Sequence, residues 1–206
     1  MMKVLVITGG IGSGKSLACS FLEKEYGWPV YTADSRVKEL YEKHDDLVAS
    51  IEDALEGRFR DEYGHFIPAA LASVIFTDRS ALEKVESIVF PYLTRDFLNW
   101  KSQQTESSYV ILESATILEK PSLRHLGDIT LLIDAPLESR VMRAAERDGV
   151  SAGQVRRRTE NQPLMNSISE GDVKAPVDVV IVNDSTEKEF YEKLRSFAEN
   201  LLEQKC

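Results

Sequence analysis

Apolar residues along this chain fall into two kinds of grouping. The first is the short unbroken run: KVLVIT at 3–8, YVILE at 109–113, ITLLID at 129–134 and VDVVIV at 177–182. These runs are rich in β-branched residues and apolar on successive positions, the pattern of strands covered on both faces. A shorter run at 29–31 predicts a further strand. The second grouping has helical spacing. Leu17, Phe21 and Leu22 predict a helix over 17–25 that ends near Gly27. Val37, Leu40 and Tyr41 predict another over 35–43. Leu47, Ile51 and Leu55 open a mainly helical stretch, 46–104, broken at Gly57 and Gly64 and without a strand pattern. Within it 69–76, 80–89 and 92–100 read as three short helices, with Pro91 opening the last. Further on, the pattern predicts a helix over 138–147 stopped by Gly149, then one running to about 161 from a capping box of Ser151 and Gln154. A final helix spans 186–204, after the turn Asn183-Asp184-Ser185.

Five apolar strands alternating with helices predict an α/β fold: a parallel sheet covered by helices, with ligands at the carboxyl ends of the strands. The length of 206 residues suits one domain with an excursion or two. No apolar run approaches the ~18 residues of a membrane span, and MMKVLVITGG lacks the cleavage site of a signal peptide. The two cysteines, Cys19 and Cys206, make no disulfide framework or metal knuckle. These features predict a cytoplasmic protein with no membrane partner. The net charge of −9 speaks against a nucleic-acid partner. It is unevenly spread: in 139–158, Arg140, Arg143, Arg147, Arg156, Arg157 and Arg158 face only Glu146 and Asp148. A basic island on an acidic chain suits a small anionic ligand.

The chemistry is concentrated after the first strand. Gly9-Gly10-Ile11-Gly12-Ser13-Gly14-Lys15-Ser16 fits the pattern G-x-x-x-x-G-K-[ST], placed between a strand and a helix as its mechanism requires. Glycines let backbone N–H groups turn inward as a nest for phosphate oxygens, and the helix start adds its positive end. Lys15 is expected to reach the β- and γ-phosphates, with the Ser16 hydroxyl on Mg²⁺. The candidate nucleotide-binding positions are Gly10, Ile11, Gly12, Ser13, Gly14, Lys15, Ser16 and Leu17. The competing reading is a glycine-rich turn without a ligand. Asp34, just past the second strand, is the candidate general base; it could equally cap the helix it opens. Arg140, Arg143 and Arg147 lie at i, i+3 and i+7, one helical face. Arg143 and Arg147 join Lys15 and Asp34 as catalytic candidates that neutralise charge in transfer; the alternative is a solvated face paired with Glu138, Glu146 and Asp148.

Other residues carry weaker patterns. His44, His65 and His125 lack metal-ligand spacing, and Asp61-Glu62-Tyr63-Gly64 reads as a turn. Glu113 ends a buried strand where a metal-associated acid could stand or where a plain carboxylate would do. Cys19 reads as a small core residue.

The order of these motifs resembles the dephospho-CoA kinase family over nearly the whole chain. The resemblance rests on Thr8 through Ser16, on Ala33-Asp34, and on Gly64-His65-Phe66 with the stretch from Leu71 to Phe76. Further along it rests on Ile117-Leu118-Glu119, on Arg143, Arg147-Asp148, Arg158 and Gln162, and on Val177-Asp178 with Asn183-Asp184-Ser185. The chain departs from the family pattern at Thr32, Pro68, Phe90 and Ala115, all in the acceptor-binding half. The resemblance implies a three-layer P-loop kinase fold with a five-stranded parallel sheet, a helical acceptor-binding insertion and a short helical lid. It implies a nucleotide core at 1–59, 109–138 and 166–206, a CoA-binding helical domain at 60–108 and a lid at 139–165. It further implies transfer of the ATP γ-phosphate to the 3′-hydroxyl of dephospho-CoA, with ATP and Mg²⁺ required, Asp34 as base, and Asn183 in the loop flanking the adenine. A monomer or small homo-oligomer is expected. Two other functions stay open: a P-loop kinase with another acceptor, such as a nucleoside monophosphate or sugar acid, and a regulatory nucleotide-binding module.

Overall fold

The computed structural model describes residues 2–160, 162, 165, 168 and 177–203. Five strands form one sheet: β1 (Lys3–Thr8), β2 (Val30–Thr32), β3 (Tyr109–Glu113), β4 (Ile129–Asp134) and β5 (Val179–Val182). They run parallel in the order β2-β3-β1-β4-β5. The α/β class and the five-stranded parallel sheet therefore stand as the sequence pattern predicts. Val4 pairs with Val110 and Ile7 with Glu113 on one side of β1, while Thr8 pairs with Leu132 on the other. Odd and even positions of the central strands are both buried, Leu5 and Ile7 as fully as Val4 and Val6. Burial on both faces is why these segments read as unbroken apolar runs.

The chain divides into two compact units, Met1–Tyr31 with Gln104–Cys206, and Thr32–Gln103. In the first unit, helix α1 (Lys15–Tyr26) and the C-terminal helix packed on it bury Ala18, Cys19, Leu22, Phe190, Leu194 and Leu201 against Leu5, Ile7, Ile111, Leu131 and Ile133. Phe21 stacks on Tyr191 with ring centroids 4.6 Å apart. Cys19 belongs to this core, and burial raises its thiol pKa. Gly27 closes α1 in the left-handed conformation, φ 65°, its N–H returning to the Glu23 carbonyl.

The second unit contains α2 (Ala33–Lys43), α3 (Asp45–Leu55), α4 (Pro68–Ile75) and α5 (Arg79–Ser102). It thus includes two helices that precede residue 60. The helices expected over 80–89 and 92–100 form a single helix with Pro91 in its interior. Proline removes one hydrogen bond and crowds the carbonyl four residues back. Ala81, Val85, Val89, Leu93 and Phe97 nevertheless keep one buried stripe at four-residue spacing through it, and that burial outweighs the lost bond. Where no strand pattern is visible, a single antiparallel bridge joins Arg60 and Phe66. Arg60 is held by Asp45 and Glu52.

The remaining elements belong to the first unit: a 3₁₀ turn (Ile117–Glu119), α6 (Pro121–Arg124), α7 (Leu137–Asp148), α8 (Ala152–Thr159) and α9 (Glu187–Glu203). The Ser151–Gln154 capping box is present at the start of α8. The far end of the expected helix, residue 161, lies outside the described residues. β5 is shorter than the expected 177–182 because Asp178 uses its carboxylate, as well as its backbone, on Thr130: the Thr130 N–H donates to Asp178 Oδ2 at 2.7 Å.

Candidate phosphate-binding site

The connections from β1 and from β4 leave in opposite directions across the sheet, since β2 and β3 lie on one side of β1 and β5 lies beyond β4. A crevice opens at the carboxyl ends of such a strand pair. The segment after β1 and helix α7 after β4 both start there. That segment is the glycine-rich loop, and α1 begins at its end.

Gly12 and Gly14 are among the loop positions that require glycine. Gly12 has φ 76° and Gly14, the N-cap of α1, has φ 105°, both in the left-handed region that side chains disfavour. A Cβ on Gly12 would strike the Arg140 carbonyl, and one on Gly14 would strike the Asn183 side-chain amide. The loop is thus held from three directions. Its Ile11 side chain packs into the small core of Val141, Ala144 and Val155 between α7 and α8. The Ile11 N–H donates to Gln162 Oε1 at 3.0 Å. Asn183 Nδ2 donates to the Ser13 carbonyl at 2.9 Å.

Lys15 Nζ donates to the carbonyls of Gly9 at 2.8 Å and Gly10 at 3.1 Å, so the ammonium is folded over its own loop. Gly12, Gly14, Lys15, Ser16, Leu17, Arg143 and Arg147 line a cavity of about 210 Å³. Ser16 is an exposed residue of that lining. The hydroxyls of Ser13 and Thr8 are buried and find no hydrogen-bond partner among the described residues. A cradle of backbone donors, one lysine and two arginines can hold a polyanionic tail.

Five of the six arginines of 139–158 fall into three groups, and Arg157 is exposed on α8. Arg143 and Arg147 reach the cavity; Arg143 also donates from both terminal nitrogens to the Asn183 carbonyl at 3.2 Å. Arg156 pairs with Glu138, and Arg158 joins Arg147 on Asp148 at 2.8 and 2.7 Å. The Arg147 hydrogen bond holds the Asp148 carboxyl below the usual carboxylate range. Arg147, Arg156 and Arg158 thus make acidic pairings of the kind the solvated-face reading expects, while Arg147 also lines the cavity. Arg140 is buried, with 1% of its surface exposed, although its spacing placed it on one face with Arg143 and Arg147.

Asp34 is exposed in the first turn of α2, in the second unit. The N-cap of α2 is Thr32, so Asp34 is not the capping residue; its charge still favours the positive end of the helix. Glu113 is buried at the end of β3. Sequence reasoning did not foresee that Asn183 would hold Ser13. The partners are 170 residues apart, and no spacing rule spans such a gap. Among the described residues no group of three His, Cys, Asp or Glu could hold a metal ion, and no helix is long and apolar enough to cross a membrane.

Comparison with known proteins agrees with this geometry. The family model described as dephospho-CoA kinase matches residues 3–189. A dephospho-CoA kinase of Porphyromonas gingivalis is 37% identical over 182 residues, which is 88% of this chain and 86% of that protein. One of Acinetobacter baylyi is 30% identical over 98% of this chain and 99% of its own length. Among solved structures, TT1252 from Thermus thermophilus superposes with a TM-score of 0.80 at 29% identity, covering 98% of this chain and 97% of its own. A dephospho-CoA kinase from Campylobacter jejuni, at 17% identity over the whole of both chains and a TM-score of 0.65, shares the fold.

Proposed function

We propose, since this chain belongs to the dephospho-CoA kinase family, that it transfers the γ-phosphate of ATP to the 3′-hydroxyl of dephospho-CoA to form coenzyme A. It is a kinase, and its place is in coenzyme A biosynthesis. The observation that carries the reaction chemistry is the cavity at the carboxyl end of β1, where loop glycines, Lys15, Ser16, Arg143 and Arg147 meet.

Each residue is assigned a role by its chemistry. The loop backbone from Gly10 to Ser16 orients the triphosphate, with Leu17 behind it. Lys15, now on the Gly9 and Gly10 carbonyls, neutralises charge between the β- and γ-phosphates. Arg143 and Arg147 neutralise charge on the group in flight. Asn183 holds the Ser13 carbonyl and so supports the loop on the adenine side. Asp34, in the first turn of α2, accepts the proton of the acceptor hydroxyl.

Ser16 is the residue that would hold Mg²⁺, which when bound would draw off negative charge from the phosphates. A single hydroxyl suits this ion, because Mg²⁺ takes most of its six oxygens from phosphates and water rather than from a protein cage. Residues 60–108 are assigned to holding the acceptor, 139–165 to a lid, and the rest to the nucleotide core. The cytoplasm is the proposed compartment, in keeping with a sequence of only two cysteines, and a monomer or small homo-oligomer the proposed state.

Incubation with γ-labelled ATP and Mg²⁺ tests the reading, with dephospho-CoA as acceptor and adenylate and shikimate as controls. Label is expected in coenzyme A alone. Comparable labelling of a control acceptor, or ATP hydrolysis that no acceptor stimulates, would overturn it.

A further inference from the structure

Among the described residues, the most deeply buried cation of the first unit is placed behind the phosphate loop rather than in its cavity. Arg140 sits in the first turns of α7, its N–H bonded to the Pro136 carbonyl at 3.0 Å. Its guanidinium occupies the space that a Cβ on Gly10 would need, and its carbonyl occupies the space that a Cβ on Gly12 would need. Both loop positions are therefore shaped around this one residue. Lys15 Nζ bonds the Gly10 carbonyl. Arg140 is not among the residues that line the cavity; it is enclosed, 1% exposed.

A buried guanidinium is costly to desolvate, and a well-packed neutral side chain is often at least as stable. Burial does pull its pKa down, and the nearby Asp134 carboxylate works against that shift. A charge held at such cost, in contact with the loop but outside the cavity lining, has its largest electrostatic effect when an anion settles in that cavity, because little water intervenes to screen it. We infer that Arg140 is a positioning residue for the triphosphate: a fixed cation behind Gly10 that shapes the phosphate loop and adds positive potential to it, distinct from the cavity arginines Arg143 and Arg147. The inference rests on reading the loop as the triphosphate site.

The test replaces Arg140 by Met, by Gln and by Lys and measures dissociation constants of three probes: ATP, inorganic tripolyphosphate and adenosine. Thermal unfolding followed by circular dichroism reports whether each variant folds. Arg140→Met and Arg140→Gln are expected to bind ATP and tripolyphosphate roughly tenfold or more weakly, as loss of a poorly screened unit charge implies, with adenosine binding unchanged. Arg140→Lys is expected to recover most of the loss. Neutral variants that bind tripolyphosphate within twofold of wild type would overturn the inference, as would equal losses for adenosine and ATP. Failure of both neutral variants to fold would make Arg140 a structural residue and overturn it too. Wild-type protein that binds neither ATP nor tripolyphosphate would instead remove the triphosphate reading beneath it.

Discussion

Asn183 and Ser13 are 170 residues apart in the chain and joined by one hydrogen bond, from the Asn183 amide to the Ser13 carbonyl at 2.9 Å. The same asparagine accepts from Arg143 on its own carbonyl. One residue after β5 thereby fixes both the phosphate loop and one of the arginines of its cavity. Replacing Asn183 by Ala leaves the buried Ser13 carbonyl without this donor, a loss of about 1–3 kcal/mol. Urea unfolding is expected to show a lower midpoint, and titration with ATP a weaker affinity. An unchanged affinity would mean that the loop holds its shape without Asn183.

Gly14→Ala tests the backbone at the same contact. At φ 105° an alanine is strained by about 1–2 kcal/mol, and its methyl group displaces the Asn183 amide. ATP affinity is expected to fall further than in Asn183→Ala. Isothermal titration of the two variants side by side checks the order.

Lys15→Ala removes the lysine that lines the cavity. A charge-assisted hydrogen bond contributes about 1.5–3 kcal/mol, so the ATP dissociation constant is expected to rise roughly 10- to 100-fold. Turnover falls with it. Kinase activity at the wild-type level would be incompatible with the role assigned to the loop.

Asp34→Asn keeps the size of the side chain and removes its basicity. Turnover is expected to fall by about 10²–10⁴-fold, the usual contribution of a general base, while ATP binds as before. Steady-state rates beside an ATP titration separate the two effects. An unchanged rate would remove Asp34 from the mechanism.

Tyr41 gives the second unit a pH dependence. Burial pushes its phenol from the usual 10 up to about 12, beside the Phe66 ring at 4.7 Å. The folded state favours the neutral phenol. That contribution to stability is complete below pH 10 and is lost as the pH rises through 10 toward about 12. Tyr41→Phe cannot ionise, so its stability is expected to fall less steeply over that window. Urea midpoints of the two proteins at a series of alkaline pH values give the comparison, and parallel curves would show that Tyr41 does not contribute.

How much of this was legible along the chain depends on the range of the interaction concerned. The strand runs, the phosphate loop between β1 and α1, the Ser151–Gln154 cap and the turn at Gly27 are local. Each follows from the geometry of a few consecutive residues, and each was found where its pattern lies. Pro91 shows the limit of local rules: the proline predicts a boundary, but a buried stripe from Ala81 to Phe97 carries the helix through it. The arginines show it more sharply. Arg140, Arg143 and Arg147 share one helical spacing and one charge, and no spacing rule separates them. The fold buries the first behind the loop and sends the other two to the cavity.

The order of residues was enough to establish the class of fold, the parallel sheet and the glycine-rich loop between β1 and α1, because periodicity and glycine conformation act over a few neighbouring positions. Which side chains support that stretch, Asn183 on Ser13, Gln162 on Ile11 and Arg140 against Gly10, came from packing alone. Those contacts join segments up to 170 residues apart, and they exist only once the strand order β2-β3-β1-β4-β5 has brought the ends of β1, β4 and β5 together.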